Sequence, residues 1–240
     1  MDVESASLLG LLELQAEDTE IGRLNERRSS LPEAARLAQV TDVLSELEND
    51  LEIAGKQSDE VVREQSRLEG EIELLNQRIS REESRLFSGG VSNPKELGAL
   101  QAEVAMLRRR GSGLEDALLE VMVSRDQMTD TLERLERERV AAKGEAGELS
   151  GRLAELTAEI DTELQRRSVR REEIAATIPA DLLELYERIR DQKHGVGAAA
   201  LVGDTCQGCH TKLPSGEVQR LRAQRGLQRC DNCRRILVVT

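Results

Sequence analysis

The strongest constraint on this chain is a pair of long heptad patterns separated by a short glycine-containing segment. Steps of three and four residues from Leu37 to Leu86 reach fifteen positions, of which twelve are apolar. The same stepping from Leu97 to Ile160 again falls mostly on apolar residues. Apolar residues at this spacing form the seam of a coiled coil. The two patterns therefore predict two long helices that pack against each other.

Residues 88–94, Ser-Gly-Gly-Val-Ser-Asn-Pro, lie between the two patterns and predict the tip of a hairpin. Glycine can adopt positive φ, and proline cannot continue a helix. Asn93 as N-cap, Pro94 as first helical residue and Glu96 in the first turn form a helix-start signature. Since the segments on either side are similar in length, the two helices should be antiparallel. The candidate tip residues are Ser92, Asn93, Pro94, Lys95 and Glu96.

The heptad pattern changes near both ends of the predicted hairpin. Pro32 interrupts the first helix, which predicts a break between a short N-terminal helix and the main one. Beyond Ile160 the seam weakens, and the positions that follow are polar: Glu163, Arg167 and Arg170. We expect this stretch to be looser or to face another part of the chain.

A second proline marks the end of the long helices. Pro179 ends the second one, and Asp181 can cap a shorter helix that reaches about Lys193. The predicted organisation is a hairpin over residues 1–180, a connecting helix and linker over 181–197, and a small β domain over 198–240. The predicted fold class is thus mostly α: a long antiparallel coiled-coil hairpin with a small C-terminal β zinc ribbon.

Composition agrees with an extended helical chain and bears on its location. Aromatic residues make up 1% of the sequence and charged residues 33%, which is unlike a single globular domain. The formal net charge is −12, and an acidic surface repels nucleic acid and anionic membranes. No apolar run is long enough for a membrane helix, and the N-terminus lacks the cationic residues of a signal peptide. We expect a cytoplasmic protein that does not bind membranes.

The four cysteines carry the clearest chemical signal. Cys206 and Cys209 form one C-x-x-C pair. Cys230 and Cys233 form a second pair, which is separated from the first by twenty residues. Two such pairs supply four thiolates for a tetrahedral zinc ion, and a reducing cytoplasm favours metal over disulfides. Because four protein ligands leave no open coordination position, the sequence predicts one structural, non-catalytic Zn²⁺ per chain.

Other interpretations of the cysteines and histidines are weaker. Cys206-x-x-Cys209-His210 is the attachment sequence of a c-type haem, but haem would leave the second pair without a role. A redox C-x-x-C pair belongs beside a βαβ pattern, which this chain lacks. His194 is interpreted as a linker residue. With no recognisable catalytic constellation, we expect neither an enzyme nor a small-molecule substrate.

The C-terminal region is basic although the chain is acidic. Residues 201–240 hold three acidic residues against seven basic ones, Lys212, Arg220, Arg222, Arg225, Arg229, Arg234 and Arg235. These side chains are candidate contacts to a partner or to nucleic-acid phosphates, or they balance thiolate charge. The region has no aromatic residue for base stacking, which makes direct recognition of single-stranded RNA less favoured.

Four segments resemble the bacterial family of coiled-coil proteins with a C-terminal C4-type zinc ribbon, the group containing the flagellar regulator FlgZ and the type III secretion protein CdsZ. They are residues 91–97, the helix Tyr186–Arg190, Cys206-x-Gly-Cys209 with Leu213-Pro214, and residues 230–237. The resemblance implies a long hairpin with a compact zinc domain and a non-catalytic role as adaptor or chaperone. Relatives are associated with an alternative sigma factor, secretion components or messenger RNA.

Two functional hypotheses follow. In the first, the protein is an adaptor or chaperone that binds a protein client through its coiled coil, with the ribbon as a second contact. In the alternative, it is an RNA- or DNA-binding regulator that acts through the basic ribbon.

Overall fold

The computed structural model describes residues 5–224 and 226–239, and helices dominate it. Four helices precede the ribbon: α1 (Ser5–Ser29), α2 (Pro32–Phe87), α3 (Pro94–Ala176) and α4 (Ala180–Gln192). The ribbon consists of β1 (Ala198–Val202), β2 (Thr205–Cys206), α5 (Ser215–Ala223) and β3 (Ile236–Val239). The chain divides into a hairpin unit of residues 36–148 and a ribbon unit made of residues up to 35 and from 149 onwards.

Within the hairpin unit, α2 and the first part of α3 are antiparallel. Arg36 near the start of α2 pairs with Glu145 at 2.7 Å, whereas Arg78 near its end pairs with Glu103 at 2.6 Å. As residue numbers rise along α2, those of its partners on α3 fall. The structure confirms the predicted antiparallel coiled-coil hairpin.

The predicted seam is the interior of this hairpin. Leu47 and Ala54 of α2 pack with Leu135 of α3, and all three lie at predicted heptad positions. At Gly111, also a heptad position, a Cβ would lie 3.5 Å from the Leu75 side chain, which is an ordinary van der Waals contact, so this position faces the seam. The buried apolar side chains of this seam are Val40, Leu47, Ala54, Leu68, Leu75, Leu100, Val104, Leu107 and Leu135.

The tip lies where the sequence places it. Helix α2 ends at Phe87 and α3 begins at Pro94. Asn93 acts as the N-cap, because its Oδ1 accepts a 3.0 Å hydrogen bond from the backbone N–H of Lys95. Of the two tip glycines, only Gly89 adopts positive φ, at 73°.

In the ribbon unit, α1 packs against the last part of α3. Leu24 of α1 and Leu31 share a core with Leu156 and Ile160. Of the polar heptad positions past Ile160, Arg167 and Arg170 face α1, where both pair with Glu17. Helix α4 begins at Ala180 with Pro179 as N-cap, so Asp181 lies in the first turn and is not the cap that the sequence suggested.

The ribbon is a three-stranded sheet in the order β2-β1-β3. Strand β1 pairs antiparallel with β2, with Leu201 opposite Cys206, and parallel with β3, with Ala198 opposite Ile236. The small C-terminal β domain that the sequence predicts is therefore present. Helix α5, with Val218 and Leu221 buried, was not predicted.

One core joins the ribbon sheet to the helices of its unit. Side chains alternate between the two faces of a strand, and on β3 Ile236 and Val238 pack on Leu14, Tyr186 and their neighbours while Leu237 faces the cysteines. Packing therefore runs across the predicted boundary at residue 198.

None of the helices within residues 5–224 and 226–239 has the length and apolar character needed to span a membrane.

Candidate metal centre and its attachment to the helices

The four cysteine sulfurs converge on one point. All four Sγ atoms lie within 4.8 Å of one another, and the Cys206–Cys233 and Cys209–Cys230 pairs are each 4.0 Å apart. Four thiolates about 2.3 Å from a central ion lie about 3.8 Å from each other in a tetrahedron. The observed spacing fits that geometry, and a disulfide, with sulfurs about 2 Å apart, does not describe it. The cluster is a C4 zinc site for one structural zinc.

The two C-x-x-C turns have the same backbone geometry. In the first turn, Cys206 donates its N–H to Thr211 O at 3.1 Å and accepts from His210 N at 2.8 Å. In the second, Cys230 donates to Arg235 O at 3.0 Å and accepts from Arg234 N at 2.8 Å. Repetition of one turn explains how two short segments present four sulfurs symmetrically.

The residue after each pair has left-handed backbone geometry. His210 has φ of 56° and Arg234 has φ of 65°. This region is unfavourable for most side chains, so each turn holds some backbone strain. His210 is exposed at this position, and the four thiols form one cluster without it. Cys230 and Cys233 thus belong to the same metal site as Cys206 and Cys209. A c-type haem attached to the first pair would leave the second pair without a role.

Burial and hydrogen bonds make the thiols unequal. Burial raises the pKa of Cys206 to about 12 and also raises the pKa of Cys230. For Cys209, burial acts upward but is outweighed by hydrogen bonds from Thr211 and Asn232, and the pKa falls to about 6. Because zinc binds thiolates, metal binding must displace protons from the two buried thiols.

Arg235 attaches the first cysteine turn to the helices. Its guanidinium donates to three backbone carbonyls: Lys193 at 3.1 Å, Val196 at 2.9 Å and Gly208 at 2.8 Å. Two of these carbonyls lie in the segment that follows α4, and the third lies between Cys206 and Cys209. A Cβ at Gly208 would lie 2.9 Å from both the Ala199 and Arg235 side chains, so only glycine fits this approach.

Gln15 of α1 makes the second attachment. Its Oε1 accepts from Gly197 N at 2.7 Å and Ala198 N at 3.2 Å, at the start of β1. Its Nε2 donates to Gly195 O at 2.9 Å, and the side chain is only 8% exposed. Position 197 has no room for a side chain, because a Cβ there would lie 2.8 Å from the Tyr186 ring. One amide thus supplies partners for three backbone groups of the linker.

Asp18 organises a charged cluster beside Gln15. The carboxylate accepts from Tyr186 Oη at 2.6 Å, Arg171 Nε at 2.7 Å and Arg190 at 3.1 Å. Glu187 pairs with both arginines, at 2.9 Å to Arg190. Burial acts to raise the pKa of Asp18 but is outweighed by Arg171 and Tyr186, which hold it below its usual value. The cluster therefore joins α1, α3 and α4.

This cluster predicts acid sensitivity of the ribbon unit. A carboxyl whose pKa is lowered by folding adds stability that is complete above its unfolded pKa, near 3.8, and is lost as the pH falls through the folded value. Asp18→Asn should therefore be less stable than the parent protein at pH 7, and the difference should shrink below about pH 4. Urea unfolding followed at pH 7, 5 and 3 measures this. A difference independent of pH would contradict it.

Sequence reasoning did not identify these attachment residues. The polar heptad positions past Ile160 did carry a signal, because Arg167 and Arg170 pair with the buried Glu17 of α1 at 3.1 and 2.9 Å. Gln15 stands among leucines on α1, but nothing in the sequence shows that its partners are 180 residues away. Tyr186 is the single tyrosine of the chain, and its partners likewise come from the fold.

Most of the predicted basic contact residues are engaged within the ribbon. Lys212 pairs with Asp204 at 3.0 Å, Arg220 pairs with Asp231 at 2.8 Å, and Arg222 donates to Gly203 O at 2.9 Å. Arg234 lies 3.8 Å from Asp231, and Arg235 is used as described above. Arg229 is exposed, and Arg225 lies outside the described residues. The tip residues Ser92, Asn93, Pro94, Lys95 and Glu96 are all exposed.

Comparison with known proteins agrees with the fold and the metal site. Residues 14–194 match the CT398-like coiled coil hairpin domain, and residues 205–237 match a C4-type zinc ribbon domain. The chain belongs to the family of CT398-like coiled-coil hairpin proteins. An uncharacterised protein of Mycobacterium tuberculosis is 34% identical over 233 residues, which cover 95% of this chain and 93% of that protein.

Solved structures show the same architecture. A structure from Mycobacterium smegmatis has a TM-score of 0.84 at 28% identity, covering 99% of this chain and all of that one. CT398 from Chlamydia trachomatis has a TM-score of 0.71 at 20% identity, covering 98% of both chains. HP0958 from Helicobacter pylori has a TM-score of 0.52 at 17% identity, covering 98% and 97%. The last two are similar in fold alone.

Proposed function

We propose that this protein is a non-catalytic adaptor or chaperone that binds a protein client along its helical hairpin. The observation that carries the proposal is the outer surface of the hairpin unit. Large apolar side chains outside the seam are exposed there, for example Leu74 at 65% and Leu119 at 60%. Others of this kind are Val43, Ile53, Val62, Phe87, Met106, Val123 and Val140. A client helix packed against the hairpin would bury such residues.

The metal centre supports a structural role for the ribbon in this function. A zinc ion with four thiolate ligands has no open position for water or substrate. Arg235 and the shared core hold the ribbon on the helices of its unit. The ribbon would then act as a rigid second contact. A cytoplasmic location is part of the same proposal.

The nucleic-acid alternative has less support from the ribbon surface. Phosphate binding needs cations that are free to contact an anion. Lys212, Arg220 and Arg222 already have partners within the ribbon, and Arg235 donates to three carbonyls. The alternative remains testable in the same experiment as the adaptor.

Site-specific photocrosslinking in cells tests the proposal. A crosslinking side chain replaces Val123 on the hairpin or Val202 on the ribbon, both more than half exposed, with the same side chain at the polar, exposed Gln57 as control. We expect discrete protein adducts from Val123 that survive nuclease and are absent at Gln57. Adducts of RNA or DNA from Val202 alone would favour the alternative. An absence of specific protein adducts at every position would contradict the adaptor.

A further inference from the structure

We propose that the part of the hairpin formed by residues 74–114, here called the distal segment, binds an acidic amphipathic helix of the client. This inference rests on the proposed adaptor function and names the chemistry of its partner. It is carried by three features of the distal segment: its charge, its uncompensated cations and its apolar grooves.

The distal segment is positive within an acidic protein. It contains seven Lys or Arg residues and four Asp or Glu residues. The rest of the hairpin unit, residues 36–73 and 115–148, contains nine basic and 21 acidic residues. The sign of the charge thus reverses along one hairpin. An acidic partner is attracted to the distal segment and repelled by the acidic remainder of α2 and α3 in the hairpin unit.

Several cations of the distal segment are not paired with a carboxylate of the same segment. Arg85 pairs with Glu82 at 2.7 Å and Arg108 with Glu83 at 2.5 Å, while Arg78 uses Glu103. Four further cations of the distal segment have no carboxylate within 4 Å in the described part of the chain: Arg81, Lys95, Arg109 and Arg110. All four are exposed. Arg81 donates to Gln77 O at 3.3 Å. The other three are free to pair with carboxylates of a partner.

Grooves with apolar walls run between the two helices of the distal segment, and Arg110 lines one of them. A groove of about 400 Å³ is lined by Leu86, Phe87, Val104 and Ala105, and its polar edge is formed by Gln101 and the Arg108–Glu83 ion pair. Phe87, the single phenylalanine of the chain, is 81% exposed. A groove of this kind receives the apolar face of a helix, whose side chains at i, i+3 or i+4 and i+7 serve as anchors.

A second groove repeats this chemistry. It measures about 310 Å³ and is lined by Leu74, Leu75 and Leu114, with two cations, Arg78 and Arg110, and one carboxylate, Glu71, beside them. From Leu74 to Phe87 the rise of α2 is about 20 Å, which is the length of a helix of about 14 residues. A partner helix that fits both grooves needs an apolar stripe about this long, flanked by carboxylates that pair with the arginines.

A helix fits these features better than the other anionic partners. Single-stranded nucleic acid binds through successive stacking rings, and Phe87 is the single aromatic residue of the distal segment. A long polyanion would also extend along the acidic part of the hairpin. A membrane presents a flat surface, which does not enter grooves between two helices.

Fluorescence anisotropy with the full-length, zinc-loaded protein tests the inference. The probe is a labelled peptide of about 20 residues with Leu at i, i+3, i+4 and i+7 and Glu elsewhere. Competitors are a scrambled peptide of the same composition, a single-stranded RNA of about 20 nucleotides and phosphatidylserine vesicles. We expect the amphipathic peptide to bind about tenfold more tightly than the scrambled one, with affinity falling as salt is raised.

Paired variants locate the site. Arg109→Glu with Arg110→Glu, and separately Phe87→Ser, should each weaken peptide binding about tenfold. The matched control, Arg134→Glu with Arg137→Glu, makes the same charge change on exposed residues of α3 outside the distal segment and should leave binding unchanged. Circular dichroism of each variant shows whether the hairpin remains helical.

Several results would overturn the inference. They are equal affinity for the scrambled peptide, tighter binding of RNA or vesicles, or equal weakening by the control variant. If the peptide does not bind while Val123 still gives protein adducts in cells, the adaptor function stands and this inference fails. If those adducts are also absent, the adaptor function fails as well.

Discussion

Replacement of Cys230 by serine should abolish stoichiometric zinc binding and unfold the ribbon. Cys230 is fully buried, and its sulfur lies 4.0 Å from that of Cys209. The free energy of binding structural zinc, about 10–16 kcal/mol in zinc-finger peptides, is free energy of folding. The small core around the cysteines cannot replace it. Elemental analysis of anaerobically purified protein should give one zinc per parent chain and much less than one for the variant.

Loss of zinc in the Cys230→Ser variant should also destabilise α4, a helix that contains no cysteine. Ile236 and Val238 of β3 pack on Leu14 and Tyr186, and Arg235 binds carbonyls after α4. Amide hydrogen exchange should therefore accelerate in α4 and in residues 193–198, whereas the seam of the hairpin unit should keep its protection. Retained protection throughout α4 would show that the shared core does not depend on zinc.

His210→Asn is the matched control for the metal site. Asparagine tolerates the left-handed conformation that His210 adopts, with φ of 56°, and the four-thiol cluster excludes the imidazole. The variant should retain one zinc and the melting temperature of the parent protein. Loss of zinc in this variant would make His210 a ligand and contradict the C4 assignment.

Replacement of Gln15 by leucine should destabilise the ribbon unit by about 3–9 kcal/mol. Leucine has a similar size but cannot bond to the N–H groups of Gly197 and Ala198 or to the carbonyl of Gly195. Each buried group left without a partner costs about 1–3 kcal/mol. The loss approaches the total stability of a typical domain. Urea unfolding, with tyrosine fluorescence reporting on Tyr186, measures it.

A glutamine elsewhere supplies the comparison. Gln57 is exposed on α2, and Gln57→Leu should change the free energy of unfolding by no more than about 0.5 kcal/mol. If both variants lose the same stability, the Gln15 amide is not an essential attachment. Gln15→Glu is informative as well, because its carboxylate can accept from the two N–H groups but cannot donate to Gly195 O.

The local features of this chain were predictable because their signals lie within short segments. Heptad spacing located the seam residues such as Leu47 and Leu135, and Asn93-Pro94 located the start of α3. Two C-x-x-C pairs identified the zinc ligands, since a turn of four residues places both thiols at one point. Helix α5 was not predicted, because its nine residues contain only two buried positions, Val218 and Leu221, and two positions are too few for a periodic pattern.

The attachment of the ribbon depends on contacts that no local pattern records. Gln15 meets Gly195, Gly197 and Ala198 across 180 or more residues, and Asp18 collects Arg171, Tyr186 and Arg190 from two other helices. Arg235 looked like a surface cation in the sequence, yet its donors bind three backbone carbonyls. Periodicity and ligand spacing follow from the geometry of single elements, so residue order alone reveals them. Which polar side chain satisfies which distant backbone group is decided only when the helices and the sheet pack together, because burial then requires every such group to find a partner.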